Sequence, residues 1–424
     1  MAIEHPRLRN VEAVPVPGRA GRLIALRDPS GLSDQTVVIT PDLFFLLTLF
    51  DGEHSLREIQ VAYTRRFGDL LLSSRLNEII EQLDASLLLE SDRLEAHRRE
   101  IEAEFRASAV RAAAHAGSAY PADPGLLRDQ LDQYLRAAQV DGAAPGEKPV
   151  RGLVAPHIDF ARGGLCYGWA YRQLAGAAPA DTYVILGTDH GAAESPFIAT
   201  RKGYATPLGT AQTDGELLDA LAARCPFDLF AGEFAHRKEH SIEFQVVWLR
   251  HVVGEVRILP VLCGAFHRRD GEVVDPEGVP AAGEFARALR DAVAALGRRI
   301  CVVAGADLSH VGPRFGDPQP AVPGRLRVIE AQDRALLQPA AAMDRARFAA
   351  ALRGDHDARH VCGFPAIYAL LALLEARDRS TEAPGLRSLG EGGAAKVEGA
   401  LLKYDQAADH QTQSVVTFAS LVYA

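Results

Sequence analysis

The chain is poor in cysteine, with only five among 424 residues and no C-x-x-C pair. Cys166, Cys225, Cys263, Cys301 and Cys362 are odd in number and scattered, which excludes a disulfide framework and fits a reducing cytoplasm. No apolar run approaches the roughly 18 residues of a membrane span, so no transmembrane helix is predicted. The opening MAIEHPRLRN lacks the basic-then-apolar profile of a signal peptide, and the expected location is cytoplasmic. Positive charge is also short. With 46 Lys and Arg against 55 Asp and Glu, the net charge of −9 argues against a nucleic-acid-binding surface, which needs clustered cations. What is present is a globular composition, 48% hydrophobic and 24% charged, in a chain long enough for two or three domains.

Residues 1–92 read as one unit. RLIALRD and TVVIT have the composition of short strands, and PDLFFLLTLFDGE reads as a helix opened by Pro41 and closed at Gly52. SLREIQVAYTRRFG follows with Ser55 and Glu58 at capping-box spacing. In SRLNEIIEQLDASLLLE, the residues Leu76, Ile79, Ile80, Leu83 and Leu87 fall on one helical face. This order predicts a small winged-helix-like domain. Its run FDGEHSLREIQVAYTRRFG, continued by LNEIIEQLDASLLLES, resembles the PqqD-like family, which implies that the unit binds a peptide or a protein. Between Asp51 and Glu90 there are four Arg and no Lys against eight acids, the wrong balance for a helix laid on phosphates.

Residues 93–114, charged and free of Gly and Pro, read as a helical connector. From residue 115 to 424, apolar strand-like runs (VRGLVAPH, TYVILGT, RILPVLC, ICVVAGA) alternate with helical segments. That alternation predicts an α/β sandwich around a largely parallel sheet, with KVEGALLKY and SVVTFASLVY as late antiparallel strands.

In open α/β sheets, ligands bind beyond the carboxyl ends of the strands. His157 follows one predicted strand, Asp189 and His190 a second, and Asp307 and His310 a third. Three imidazoles delivered to one edge suggest a transition metal, for which nitrogen ligands on rigid elements suit Fe, Cu, Zn and Ni. Cys362 precedes a predicted helix, where a helix dipole stabilises a thiolate, and is the candidate additional ligand. HRKEH, His236 to His240, offers a competing reading as an inverted zinc-protease motif with Glu239 as general base. Against it, Ser241 reads as a helix cap placed after the histidines, which would leave His236 in a loop.

Eight segments then occur in the order of one known family: HAGSAYPADPGLLRDQL, VAPHIDF, ILGTDH, KEHSIEFQ, ILPVLCG, GADLSHVG, VCGFPAI and SVVTFAS. From about Ala116 onward the sequence resembles the Memo family, in bacteria called AmmeMemoRadiSam system protein B. The resemblance implies a three-layer fold similar to that of class III extradiol dioxygenases, which use non-haem iron. Carried over by position, it places a metal on His157, His190 and Cys362, with Asp307 and His310 lining the pocket and His240 and Glu243 facing it. The implied cofactor is one transition-metal ion, Fe(II) ahead of copper and copper ahead of zinc.

Three motifs depart from the family's usual form. Ile158, Asp159 and Phe160 replace A-G-Y after the first histidine. Asp189, His190 and Gly191 stand where S-H-H is common, and Phe364 and Pro365 follow Cys362-Gly363. Asp159 and Asp189 then read either as carboxylates that harden the site or as groups that fix imidazole tautomers.

The expectation is a metal-dependent redox protein with His310 and His240 as acid/base groups, since imidazole titrates near neutrality. Asp307 would orient His310 or a metal-bound water, and Glu243 would orient His240. A small molecule or peptide would occupy the cleft. The family name implies a modification system with a radical-SAM partner protein. The alternative expectation is a non-enzymatic adaptor that binds metal or peptide.

Overall fold

Ser55 caps the helix that its spacing to Glu58 predicts. Its hydroxyl accepts from the Glu58 amide, while the Glu58 carboxylate accepts from the Ser55 amide at 2.8 Å. That helix, Leu56–Phe67, ends at Gly68 in the left-handed conformation, φ 79°. A computed structural model describes residues 3–18, 21–28, 30–33, 35–138, 149–191, 195–264, 280–375 and 397–424 of the chain. It divides into two units, Met1–Ser108 and Ala109–Ala424.

The first unit holds an antiparallel sheet, β1 (Glu12–Gly18), β2 (Gly21–Arg27) and β3 (Val37–Ile39), in that spatial order. β1 was not expected from the sequence. Its Pro15 and Pro17 argue against a central strand, and β1 is an edge strand, where proline is tolerated. Four helices follow: α1 (Pro41–Leu47), α2 (Leu56–Phe67), α3 (Ser73–Ala85) and α4 (Asp92–Ala107). α1 stops at Leu47 and does not run to Gly52. Leu76, Ile79, Ile80 and Leu83 of α3 are buried as their spacing predicts. Leu87 lies beyond the helix at φ 60°, and Leu88 and Leu89 enter the core instead. The charged run from Arg93 is helical to Ala107.

The second unit is built on one large sheet. Its strands are β4 (Val110–Arg111), β5 (Gly152–Ala155), β6 (Thr182–Thr188), β7 (Phe197–Ala199), β8 (Gly203–Thr206), β9 (Gly209–Thr213), β10 (Arg257–Cys263), β11 (Ile300–Gly305), β12 (Asp307–Val311), β13 (Gly399–Asp409) and β14 (Ser414–Tyr423). The spatial order is β12-β14-β5-β11-β6-β10-β9-β8-β4, with β13 on β14 and β7 on β10. The centre, β5-β11-β6-β10, is parallel, and β14 closes it antiparallel against β5. The late strands β13 and β14 pair antiparallel as expected.

Side chains along each central strand alternate between two cores. Val184 and Leu186 of β6 face one core with Val302 and Ala304 of β11, while Tyr183 and Ile185 face the other with Cys301 and Val303. The first core is covered by α7 (Gly215–Ala222), α9 (Pro280–Leu296), α10 (Pro323–Ala341), α11 (Arg345–Gly354) and α12 (Phe364–Leu374). The second is covered by α5 (Pro124–Ala137), α6 (Phe160–Tyr171) and α8 (His240–Val252). The result is the three-layer α/β sandwich that the alternating sequence predicts. Because the parallel strands run the same way, β5, β6 and β11 end together, and the segments after them start at one edge. Among the described residues, no helix is long and apolar enough to cross a membrane.

A candidate metal centre

His157 stands two residues past the end of β5 and is only 2% exposed. Three bonds fix it. Its amide donates to Asp307 Oδ1 at 2.9 Å, its Nδ1 bonds the Gly305 carbonyl at 2.9 Å, and Gln245 of α8 holds the preceding Pro156 carbonyl at 2.8 Å. Only glycine fits at 305, because a Cβ there would run into the Ser241 carbonyl and the Gln245 amide. With Nδ1–H committed to a carbonyl, Nε2 is the nitrogen left to act as a ligand.

His190 stands two residues past β6, and its Nδ1 bonds Glu239 Oε2 at 3.0 Å. Glu239 is the N-cap of α8. Its Oε1 accepts from the amides of His240 and Ser241 at 2.7 and 2.8 Å and lies 3.3 Å from His240 Nδ1. One buried carboxylate therefore bonds the His190 ring and lies against that of His240. His190 and His240 stack with centroids 4.9 Å apart, and His157 meets both edge-on. One ring nitrogen from each of His157, His190 and His240 lies within 4.8 Å of the other two.

Cys362 arrives from the other side of the sheet edge, immediately before the Gly363 N-cap of α12. Its Sγ is 3.2 Å from His157 Nε2, and its charge interacts with those of His190 and His310. His310, on β12, has Nδ1 tied to the Leu308 carbonyl at 3.1 Å.

The charges of these groups are mutually dependent. Burial pushes the Cys362 thiol up, but His157 and His310 outweigh it and hold the thiol well below its usual range. The stabilising partners are thus imidazoles, where the sequence suggested the helix end. Burial pushes His157 down, but Asp307 and Cys362 bring it to about 9. His190 is also raised, with burial opposed by Glu239, and Glu239 is correspondingly held low by His190 and His240. His240 behaves oppositely: burial, only partly offset by Glu239, lowers it to about 3. It stays neutral across the physiological range.

The structure thus gathers His157, His190, His240, His310 and Cys362, and four sequence expectations need correction. Glu243 does not orient His240. It lies one turn deeper, fully buried, and its carboxylate accepts from Arg111, Tyr120 and the amides of Ala114 and His115. Asp307 orients His157 and not His310, through the amide bond above and a 3.7 Å approach of Oδ2 to His157 Nε2. Asp159 is the N-cap of α6, accepting from the Arg162 amide and pairing with its guanidinium at 2.5 Å, so it serves the helix and not an imidazole. Asp189 accepts from the Gly191 amide at 3.0 Å. The zinc-protease reading of HRKEH fails for the reason expected, a helix start after His236, although the cap is Glu239 and not Ser241. His236 sits in a 3-10 turn, fully buried, bonded to the Tyr204 hydroxyl at 2.7 Å and the Ile198 carbonyl at 2.9 Å. Because α8 starts only at His240, the i,i+4 helical face that the motif requires does not exist. Sequence reasoning missed Glu239 as the residue that holds the rings. The available signal was an acidic residue directly before two amides that open a helix.

The donor set suits a transition metal. Three nitrogens bound tetrahedrally to one ion at about 2.1 Å lie about 3.4 Å apart, so rings whose nitrogens lie within 4.8 Å need to close by at most about 1.4 Å. Two of their Nδ1 atoms already bond the carbonyl or carboxylate partners typical of metal-binding imidazoles. A thiolate beside them adds a softer donor.

An α/β sandwich that presents histidines and a thiolate beyond the carboxyl ends of its parallel strands belongs to the class of candidate metal-binding proteins. The sequence pattern of the Memo-like protein family matches residues 111–422, and the chain belongs to that family. A MEMO1 family protein of Aquifex aeolicus is 27% identical over 403 residues, covering 95% of this chain and 96% of its own. One from Thermus thermophilus is 32% identical over 62% of this chain and 73% of its own. A third, from Methanopyrus kandleri, is 34% identical over 48% and 70%. The Aquifex similarity extends beyond the family pattern into the first unit.

Proposed function

We propose that the protein is a metal-dependent redox protein whose centre is formed by His157, His190 and His240 with Cys362. The observation that carries this is the convergence of His157 and His190 from strand ends, His240 from the start of α8 and Cys362 from before α12, with buried partners already orienting the first two rings. When bound, an Fe(II) or copper ion would supply Lewis acidity and a one-electron couple, and the mixed nitrogen and sulfur donors suit either metal better than a hard, oxygen-loving ion. His240, neutral down to about pH 3, fits the role of a ligand and not that of a proton donor. His310 is the acid candidate. Its pKa is raised, with burial outweighed by Cys362, and its Nδ1 is tied to Leu308. Asp307 holds His157 in place. Glu239 bonds the His190 ring and lies against that of His240.

The test is metal analysis of protein purified without oxygen, followed by oxygen consumption with small-molecule and peptide candidates. Sub-stoichiometric metal that does not rise on reconstitution would sink the reading. Bound metal without turnover would favour an adaptor.

The first unit supports recruitment of a client. Its α2–α3 loop exposes Leu70 (75%) and Leu72 (59%) beside Phe67, an apolar surface suited to a peptide or protein. The bacterial name carried by the resemblance makes a radical-SAM protein the first partner to try, by co-purification with and without Leu70→Ser.

A further inference from the structure

Just ahead of Cys362, the backbone takes a conformation that side chains disfavour. His356, Asp357 and His360 have φ of 54°, 50° and 50°. Non-glycine residues persist in this region only where their surroundings over-determine it. The surroundings here are a buried ion pair. Asp333 of α10 is fully buried and Arg359 is 6% exposed. The Asp333 carboxylate accepts from Arg359, from Ser309 at 2.6 Å, from Thr417 at 2.6 Å and from Tyr404 at 2.9 Å. It thereby ties α10 to β12, β13 and β14. Arg359 also donates to Ser309 Oγ at 3.1 Å and to Asp355 at 2.9 Å.

The backbone carries this fixation to the site. The Arg359 carbonyl accepts from the His310 amide at 2.7 Å. The Val361 amide donates to Asp357 Oδ1 at 2.8 Å, and the Gly363 amide donates to the Asp307 carbonyl at 3.1 Å. Arg359 thus contacts His310 through its main chain and the neighbouring Ser309 through its side chain. It stands three residues before Cys362. An apolar pair would fill this space without the desolvation cost of two charges, but it would remove the side-chain bonds that fix the loop to Ser309, Asp355 and Asp333.

We propose that Arg359, held by Asp333, is a positioning residue that sets Cys362 and His310 against His157. Its consequence for metal binding rests on the metal-centre reading above, whereas its geometry does not.

The experiment uses the full chain in two parts. The first is anaerobic titration with Co(II), whose thiolate charge-transfer absorption reports a Cys362–metal bond, with Cys362→Ser defining the signal without it. Arg359→Gln is expected to keep a Co(II) site on the histidines, lose most of that absorption and bind at least ~10-fold more weakly. Arg359→Lys, which keeps a cation for Asp333, should recover part of both. Folded Arg359→Gln with wild-type absorption and affinity would overturn the proposal. The second part is hydrogen exchange of the metal-free protein, using Ser309→Ala as a milder variant in case Arg359→Gln does not fold. Residues 356–363 and 308–311 should exchange faster together, and unchanged exchange in both would equally overturn the proposal. If the wild-type chain binds no Co(II), the metal reading falls, and hydrogen exchange alone decides the positioning role.

Discussion

Glu239 has two oxygens and serves two rings, bonding His190 through one and approaching His240 with the other while capping α8. Replacing it with Gln keeps the shape but removes the charge that orients both imidazoles. Glu239→Gln should therefore weaken metal binding by about 10–100-fold, the usual effect of losing such a partner. Competitive chelator titration checks this, and an unchanged affinity would remove Glu239 from the centre. Protonation sets the second expectation at this scale. The His157 pKa is raised to about 9, so below that pH a proton competes with a metal for the ring. Cys362 is held low and does not compete in the same range. His190 is raised too, so metal affinity should rise with pH from 7 to at least about 9, gaining about 10-fold per unit for each proton displaced. Isothermal titration at several pH values reads this directly, and an affinity that falls with pH over that range would contradict it.

At the scale of elements, β4 is only two residues long, yet it places Arg111 deep in the second unit. Arg111 is 1% exposed and Glu243 is fully buried. Besides pairing with Glu243, the guanidinium donates to the carbonyls of His236 at 2.9 Å and Glu239 at 2.7 Å. It therefore stitches β4 to the ring-holding cap of α8 itself. Arg111→Met would leave the Glu243 charge buried with only Tyr120 and two amides. Removing one partner of such a pair costs roughly 3–5 kcal/mol. The midpoint of chemical denaturation should fall accordingly. A loss well under about 1 kcal/mol would mean that the pair is solvated in solution. The same variant should also bind metal less tightly, because the main chain of Glu239 loses a donor.

At the scale of the whole molecule, the chain divides at Ser108, and the residues of the candidate centre all belong to Ala109–Ala424. A ligand that binds only the folded form stabilises the unit that carries its site, by about 2.7 kcal/mol at a hundredfold excess over Kd. Calorimetry should resolve two transitions, with added metal raising only the one that belongs to the second unit. Equal shifts in both would mean that the two units unfold as one.

Local pattern was enough to place several parts of this protein. Continuous apolar runs specified the central strands, which are buried on both faces. Ser55 and Glu58 marked a helix start, and histidines two residues beyond β5 and β6 marked the functional edge, because a strand end has one direction and parallel strands share it. The roles of Glu239 and Glu243 follow only from long-range packing. Spaced four apart, they would share a helical face, but Glu239 is the non-helical cap, with ψ at 132°, and turns toward the rings. Glu243, one turn inside α8, turns toward Arg111. The same break in the helix parts His236 from His240 and removes the protease geometry that their spacing suggests. Cys362 reaches His157 only through a loop held by Asp333 and Arg359, contacts between residues far apart in the chain that no local pattern encodes.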